Sequence, residues 1–197
     1  DTTVNPTLAL VVAAVNDAPT VGGAGGSFVY QTRNVPVVID NSLSLADIDS
    51  TTLSTAQVAI SNGFRSSEDV LSFNNSGGIS GSWDPATGIL TLSGTASVAA
   101  YEAALESVTY TNVSGSPSSN DRTIAWTVSD GSSSSNVATS TIQMAANAAP
   151  VNTVPGAQTV NEDTALAFNS TNGNAITVSD VDGNLATTQL SVSNGTL

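Results

Sequence analysis

Three short motifs occur twice in this chain, in the same order and at nearly one spacing. Asn16-Asp17-Ala18-Pro19 returns as Asn147-Ala148-Ala149-Pro150, 131 residues on; Asp47-Ile48-Asp49 returns as Asp180-Val181-Asp182 after 133; Ser61-Asn62-Gly63 returns as Ser193-Asn194-Gly195 after 132. Self-similarity at a fixed period marks a tandem array, and a period of about 130 residues is a whole domain, not one turn of a solenoid. The 197 residues then divide in three. Residues 1–18, with the apolar stretch Leu8 to Val15, read as the last strand of a preceding unit. Residues 19–147 form one complete unit, and residues 148–197 open the next. A half-sandwich exposes unpaired edges and an unburied face. That last segment is therefore expected to be completed by more of its own chain or by another molecule.

Within the complete unit the patterning is that of strands. Thr123-Ile124-Ala125-Trp126-Thr127-Val128-Ser129 alternates strictly, which puts Ile124, Trp126 and Val128 on one inward face. Ile89 to Ser93 is a second strand, entered through Asp84-Pro85-Ala86-Thr87-Gly88, where Pro fixes one φ and Gly supplies a positive one. Gln57 to Ile60, Val70 to Phe73, Val108 to Thr111 and Ser140 to Met144 are further strands. The one helical signal runs from Val98 to Ser107, with Val98, Tyr101, Leu105 and Val108 recurring at helical spacing. Short strands divided by turn residues predict an all-β antiparallel sandwich carrying a single short helix.

The residue inventory excludes most chemistry. With no His, no Cys and no Lys, the chain cannot assemble a Ser-His-Asp triad, a Ser-Lys pair or a thiolate nucleophile. It is read as a non-enzyme. Three Arg against 16 Asp and Glu give a formal charge of −13, which argues against nucleic acid and anionic membranes as partners. No run of roughly 18 apolar residues is present to insert in a membrane.

The acids themselves are unevenly placed. Eight of the 16 lie in four tight groups: Asp47/Asp49, Glu68/Asp69, Glu162/Asp163 and Asp180/Asp182. Calcium takes six to eight hard oxygens at about 2.3–2.6 Å, and two Asp at i and i+2 in a loop can converge on one ion. The same pairs are equally consistent with solvated turn acids accepting local backbone hydrogen bonds. No EF-hand loop occurs.

Asn16-Asp17-Ala18-Pro19 at a unit boundary, Asp47-Ile48-Asp49 some way after it, and Ser129-Asp130-Gly131 near the unit's end resemble cadherin-type repeats. Gly88-Ile89-Leu90-Thr91-Leu92-Ser93-Gly94, Tyr101-Glu102-Ala103-Ala104-Leu105 and Val160-Asn161-Glu162-Asp163-Thr164-Ala165-Leu166 resemble the cadherin-like and VCBS-like modules of giant bacterial surface adhesins of the RTX type. The resemblance implies an Ig/cadherin-like sandwich with calcium at the junctions between units. It implies a first junction built from Asn16, Asp17, Asp47, Asp49 and Asp130. A second would keep Asp180 and Asp182 but have Asn147-Ala148 for its linker, losing one carboxylate. Glu162 would serve a further junction, and the complete unit has Gln31 or Thr32 where its counterpart should stand. On this reading the first junction binds calcium better than the second.

Two functions follow from the resemblance. One is a structural extender on a bacterial cell surface, whose partners are neighbouring repeats of its own chain. The other is a subunit of an extracellular filament or layer, in which identical chains complete one another by strand addition. A carbohydrate- or host-binding module ranks third, because it needs exposed aromatics and only Trp83, Tyr101 and Tyr110 offer themselves.

Overall fold

The alternating segment 123–129 lies inside the main sheet of the fold. The computed structural model describes residues 15–31, 34–145, 148–183 and 185–193. In chain order its elements are β1 (Thr20–Gly22), β2 (Ser27–Tyr30), β3 (Val37–Val38), β4 (Ser44–Ala46), β5 (Thr52–Asn62), β6 (Asp69–Ser72), β7 (Ser80–Asp84) and β8 (Ile89–Ser97). There follow α1 (Val98–Glu106), β9 (Thr109–Asn112), β10 (Arg122–Ser129), β11 (Ala138–Met144), β12 (Val151–Thr153) and β13 (Thr177–Ser179). Of the strand expected from residues 1–18, residues 1–14 lie outside the described residues and residues 15–18 are irregular rather than strand; Asn147, Thr32, Asn194 and Gly195 also lie outside.

Six strands form one sheet in the order β2-β11-β10-β5-β8-β7, and three form a second, β3-β9-β6. Every contact in the large sheet is antiparallel except β11 with β2, which run parallel from Thr141↔Ser27 to Met144↔Tyr30. The fold is thus an all-β sandwich with one short helix. Its core interleaves Leu53, Val58, Leu90, Leu92, Ile124, Trp126 and Ile142 from the large sheet with Leu71 and Tyr110 from the small one. Each fully buried Leu or Ile contributes about 1.5–3 kcal/mol.

The helix forms where its periodicity put it. Ser97 caps it by accepting the Ala100 N–H at 3.1 Å, and Tyr101, Ala104 and Leu105 are buried. Tyr101 also donates its hydroxyl to Gly94 O at 2.7 Å. This contact ties the helix to the strand before it.

Strand direction sorts the loops into two ends. Because β5 pairs with β10 from Thr55↔Ser129 to Asn62↔Thr123, the Asp47–Asp49 loop and Asp130 share one end, here the near end. Asn62, Arg122 and the exit of β11 share the far end.

The opening of the second unit repeats that of the first. β1 pairs with β4 through Thr20↔Ala46, Val21↔Leu45 and Gly22↔Ser44. β12 pairs with β13 through Val151↔Ser179, Asn152↔Val178 and Thr153↔Thr177, the same register. Leu43, Leu45 and Leu53 are buried, whereas Ile176 and Leu185 of the later segment are 41% and 40% exposed and Leu190 is 58% exposed.

Candidate metal centre

An Asx turn builds the core of the near end. Asp47 Oδ1 accepts the N–H groups of Asp49 at 3.1 Å and Ser50 at 2.8 Å, the local bonding that Asp favours at a chain reversal. This fixes the Asp47 carboxylate half-buried while the next side chain, Ile48, projects into solvent. Asp49 is exposed, and its Oδ2 accepts the backbone N–H of Asp17 at 3.0 Å.

The third component is the loop after β10. Asp130 Oδ1 caps the Ser132 and Ser133 N–H groups at 2.6 and 2.7 Å, and its Oδ2 accepts Asn16 Nδ2 at 2.9 Å. The N–H groups of Ser133 and Ser132, then the Asn16 amide, hold the Asp130 carboxyl below the usual aspartate range. Asn16 Nδ2 also reaches Ser133 Oγ at 3.2 Å. The five residues expected at the first junction, Asn16, Asp17, Asp47, Asp49 and Asp130, are therefore connected at one end by hydrogen bonds.

The second unit copies the turn. Asp182 N–H donates to Asp180 Oδ1 at 2.9 Å, and Asp182 Oδ2 accepts the N–H of Ala148, the counterpart of Asp17. Glu162 is not brought to this pair. It sits in an exposed turn, and among the described residues no hydrogen bond joins it to Asp180 or Asp182.

Two atoms stand out in these turns. Asp47 Oδ2 and Asp180 Oδ2 are the buried side-chain oxygens among the described residues that have no hydrogen-bond partner. A buried acceptor without a donor carries its full desolvation cost. The groups this chain brings to the turns are carboxylates, Asp17, Asp47, Asp49 and Asp130 in the first and Asp180 and Asp182 in the second, with no imidazole or thiolate in the chain. That set suits a hard cation of the calcium kind and does not suit zinc or copper. Among the described residues no group of three or more acidic side chains converges into a finished metal cage. The carboxylates are linked pairwise through N–H donors instead.

Glu68 and Asp69, grouped with the other acid pairs by spacing, serve a different purpose at the far end. Asp69 is buried, and both carboxylates bind the guanidinium of Arg122, which is 0% exposed. The alternation of β10 carried the signal: Arg122 is two residues before Ile124 and shares its inward face. A second polar relay was not foreseen from spacing. Trp126 Nε1 donates to Ser140 Oγ at 2.9 Å, and Ser140 Oγ donates to Asp40 Oδ2 at 2.6 Å.

Of the aromatics that a sugar site would need, Tyr101 and Tyr110 are wholly buried and Trp83 packs edge-on against Phe64 at 6.2 Å. Among the described residues no helix is long and apolar enough to cross a membrane.

No family model matches the chain. Over 130 residues, 61% of the chain, it is 34% identical to halomucin from Haloquadratum walsbyi (strain DSM 16790 / HBSQ001). The matched stretch is 1% of that protein's length, so the relative is very long and the chain corresponds to a small part of it.

Proposed function

We propose that the chain is a structural extender segment of a long extracellular, adhesin-like surface protein, with hard cations, calcium first among them, stiffening the junctions between its units. The observation that carries this reading is the duplicated turn. In both units a linker N–H is anchored on the second Asp, and the first Asp keeps one buried oxygen with no donor. A bound cation would satisfy that oxygen and draw the remaining carboxylates and the linker together. The similarity to a small segment of halomucin supports a place within a very long chain. No residue is assigned a catalytic role.

The two junctions differ in charge. The first offers Asp17, Asp47, Asp49 and Asp130, while the second has Ala148 in place of Asp17. Coulombic attraction for a divalent ion grows with each carboxylate, so the first junction is the tighter site.

The test is thermal unfolding with and without millimolar calcium, on the wild-type chain, Asp47→Asn and Asp180→Asn. A ligand that binds only the native state must raise the midpoint. The expected result is a calcium-dependent rise that Asp47→Asn largely removes and Asp180→Asn reduces less. No rise in the wild type would sink the metal assignment and leave the sandwich standing.

A second reading, assembly into a filament or layer, draws support from the open face of residues 150–193. Phe168, Ile176, Leu185 and Leu190 line an apolar groove of about 660 Å³ there. Filament assembly predicts concentration-dependent polymers in solution, whereas the extender predicts a monomer.

A further inference from the structure

The far end of the complete unit contains an oxygen cage with a cation already inside it. Arg122 lies on the inward face of β10 and is 0% exposed. Its Nε divides its hydrogen between Asp69 Oδ1 at 3.1 Å and Oδ2 at 3.0 Å. One terminal nitrogen meets Glu68 Oε2 at 3.0 Å, and the other meets the carbonyl of Ser118 at 3.3 Å and that of Asn120. Two carboxylates and two backbone carbonyls are the kind of shell that a hard metal ion collects. Here a guanidinium fills it.

The cage also organises the chain around it. Glu68 Oε2 accepts the Ser118 N–H at 3.0 Å and Glu68 O accepts the Val113 N–H at 2.8 Å, so the loop between β9 and β10 is pinned at two points. Asp69 takes the Tyr110 hydroxyl at 2.6 Å, the Asn112 amide at 3.2 Å and the Arg65 N–H at 2.7 Å. Asn112 in turn accepts the backbone N–H of Asn34. The bonds from Ser118, Tyr110, the Asn112 side chain and Arg65 all end on two buried or half-buried carboxylates held close together. Their mutual repulsion needs a cation between them.

We propose that Arg122 is a built-in replacement for a bound ion: it closes the far end of the sandwich without metal, and its removal turns the cage into a site for free guanidinium or a divalent cation. The guanidinium is permanently charged and covalently attached, so this closure cannot be lost by dilution or chelation. Any metal dependence of the unit is then confined to the near end. The inference stands whether or not the near end binds calcium.

Hydrogen exchange resolved by segment separates the two ends. In the wild-type chain, chelator leaves the amides of residues 113–121 as protected as before; loss of protection there would mean that a metal, and not Arg122, holds the loop. In Arg122→Ala those amides exchange at least tenfold faster. Millimolar guanidinium or calcium restores them, whereas sodium chloride at the same ionic strength does not. Unchanged protection in the variant, or no rescue by either cation, overturns the proposal. Should Arg122→Ala fail to fold, Arg122→Lys supplies a point charge that cannot reach both carboxylates and both carbonyls, and its 113–121 amides exchange faster than wild type. Wild-type protection in that variant would also overturn it.

Discussion

Asp49 Oδ2 accepts the backbone N–H of Asp17 at 3.0 Å, and this single bond ties the segment entering β1 to the turn between β4 and β5. The bond is exposed, so water replaces part of it when it breaks. Asp49→Ala should therefore cost only about 1 kcal/mol of global stability. Its local effect is larger: the Asp17 amide should exchange about tenfold faster, because its opening no longer requires a charged acceptor to be given up. Amide exchange followed by NMR reads both quantities. An unchanged rate at Asp17 would mean that the linker is held by Asn16 and Asp130 alone.

The same anchor at Asp182 lacks one carboxylate, because Ala148 stands where Asp17 stands in the first unit. Ala148→Asp restores it without removing the backbone N–H that Asp182 accepts. On the proposed calcium reading, affinity at the Asp180–Asp182 turn should rise about tenfold, equivalent to about 1.4 kcal/mol, as measured by calorimetric titration. Ala148→Asn, adding an oxygen without charge, should gain less. Equal gains from both variants would show that charge does not rank the two junctions.

Inside the sandwich, Ser140 is the middle of a three-residue relay. Its hydroxyl accepts from Trp126 Nε1 and donates to Asp40 Oδ2. Ser140→Ala strips the partner from a buried indole N–H and one bond from a buried carboxylate at the same time. An unsatisfied buried group costs about 1–3 kcal/mol, so the variant should lose roughly 2–4 kcal/mol in denaturant unfolding. A loss under about 0.5 kcal/mol would mean that water enters to replace the hydroxyl.

These features differ in how far they could be read from residue order. Ile124, Trp126 and Val128 were legible because period-2 alternation needs only local sequence, and the helix at Val98–Glu106 because its apolar spacing is local too. The Asp84–Gly88 turn is likewise local: Gly88 has φ of 75° and donates to Asp84 O at 3.0 Å. The Asp47–Asp49 and Asp180–Asp182 turns belong to the same class. The link from Asn16 to Asp130 spans 114 residues and came only through family resemblance, and Ser133, which completes it, has no signal of its own. Asp40 and Arg122 were missed for the corresponding reason. Ser140 is 100 residues from Asp40 and Asp69 is 53 from Arg122, so only the closed fold shows that a charge is satisfied at the core.

Asp40 gives the clearest acid-side prediction. Burial by itself would push its carboxyl up, but hydrogen bonds from Ser140, the hydroxyl and N–H of Ser42, and the Gly26 N–H outweigh it. The folded value therefore falls below the ordinary 3.8. The unfolded chain then takes up a proton at a higher pH than the folded one does. By linkage, the stabilisation from Asp40 is complete above pH 3.8 and is lost as pH falls through the lower folded value. Asp40→Asn cannot titrate, and it places an amide among donors that need an acceptor. It should be less stable than wild type at neutral pH, with the gap narrowing as the solution is acidified below pH 3.8. Urea unfolding of both proteins across the acid range measures that convergence. A constant gap would show that Asp40 keeps the same affinity for its proton folded and unfolded, and that its four donors contribute nothing specific to the charged form.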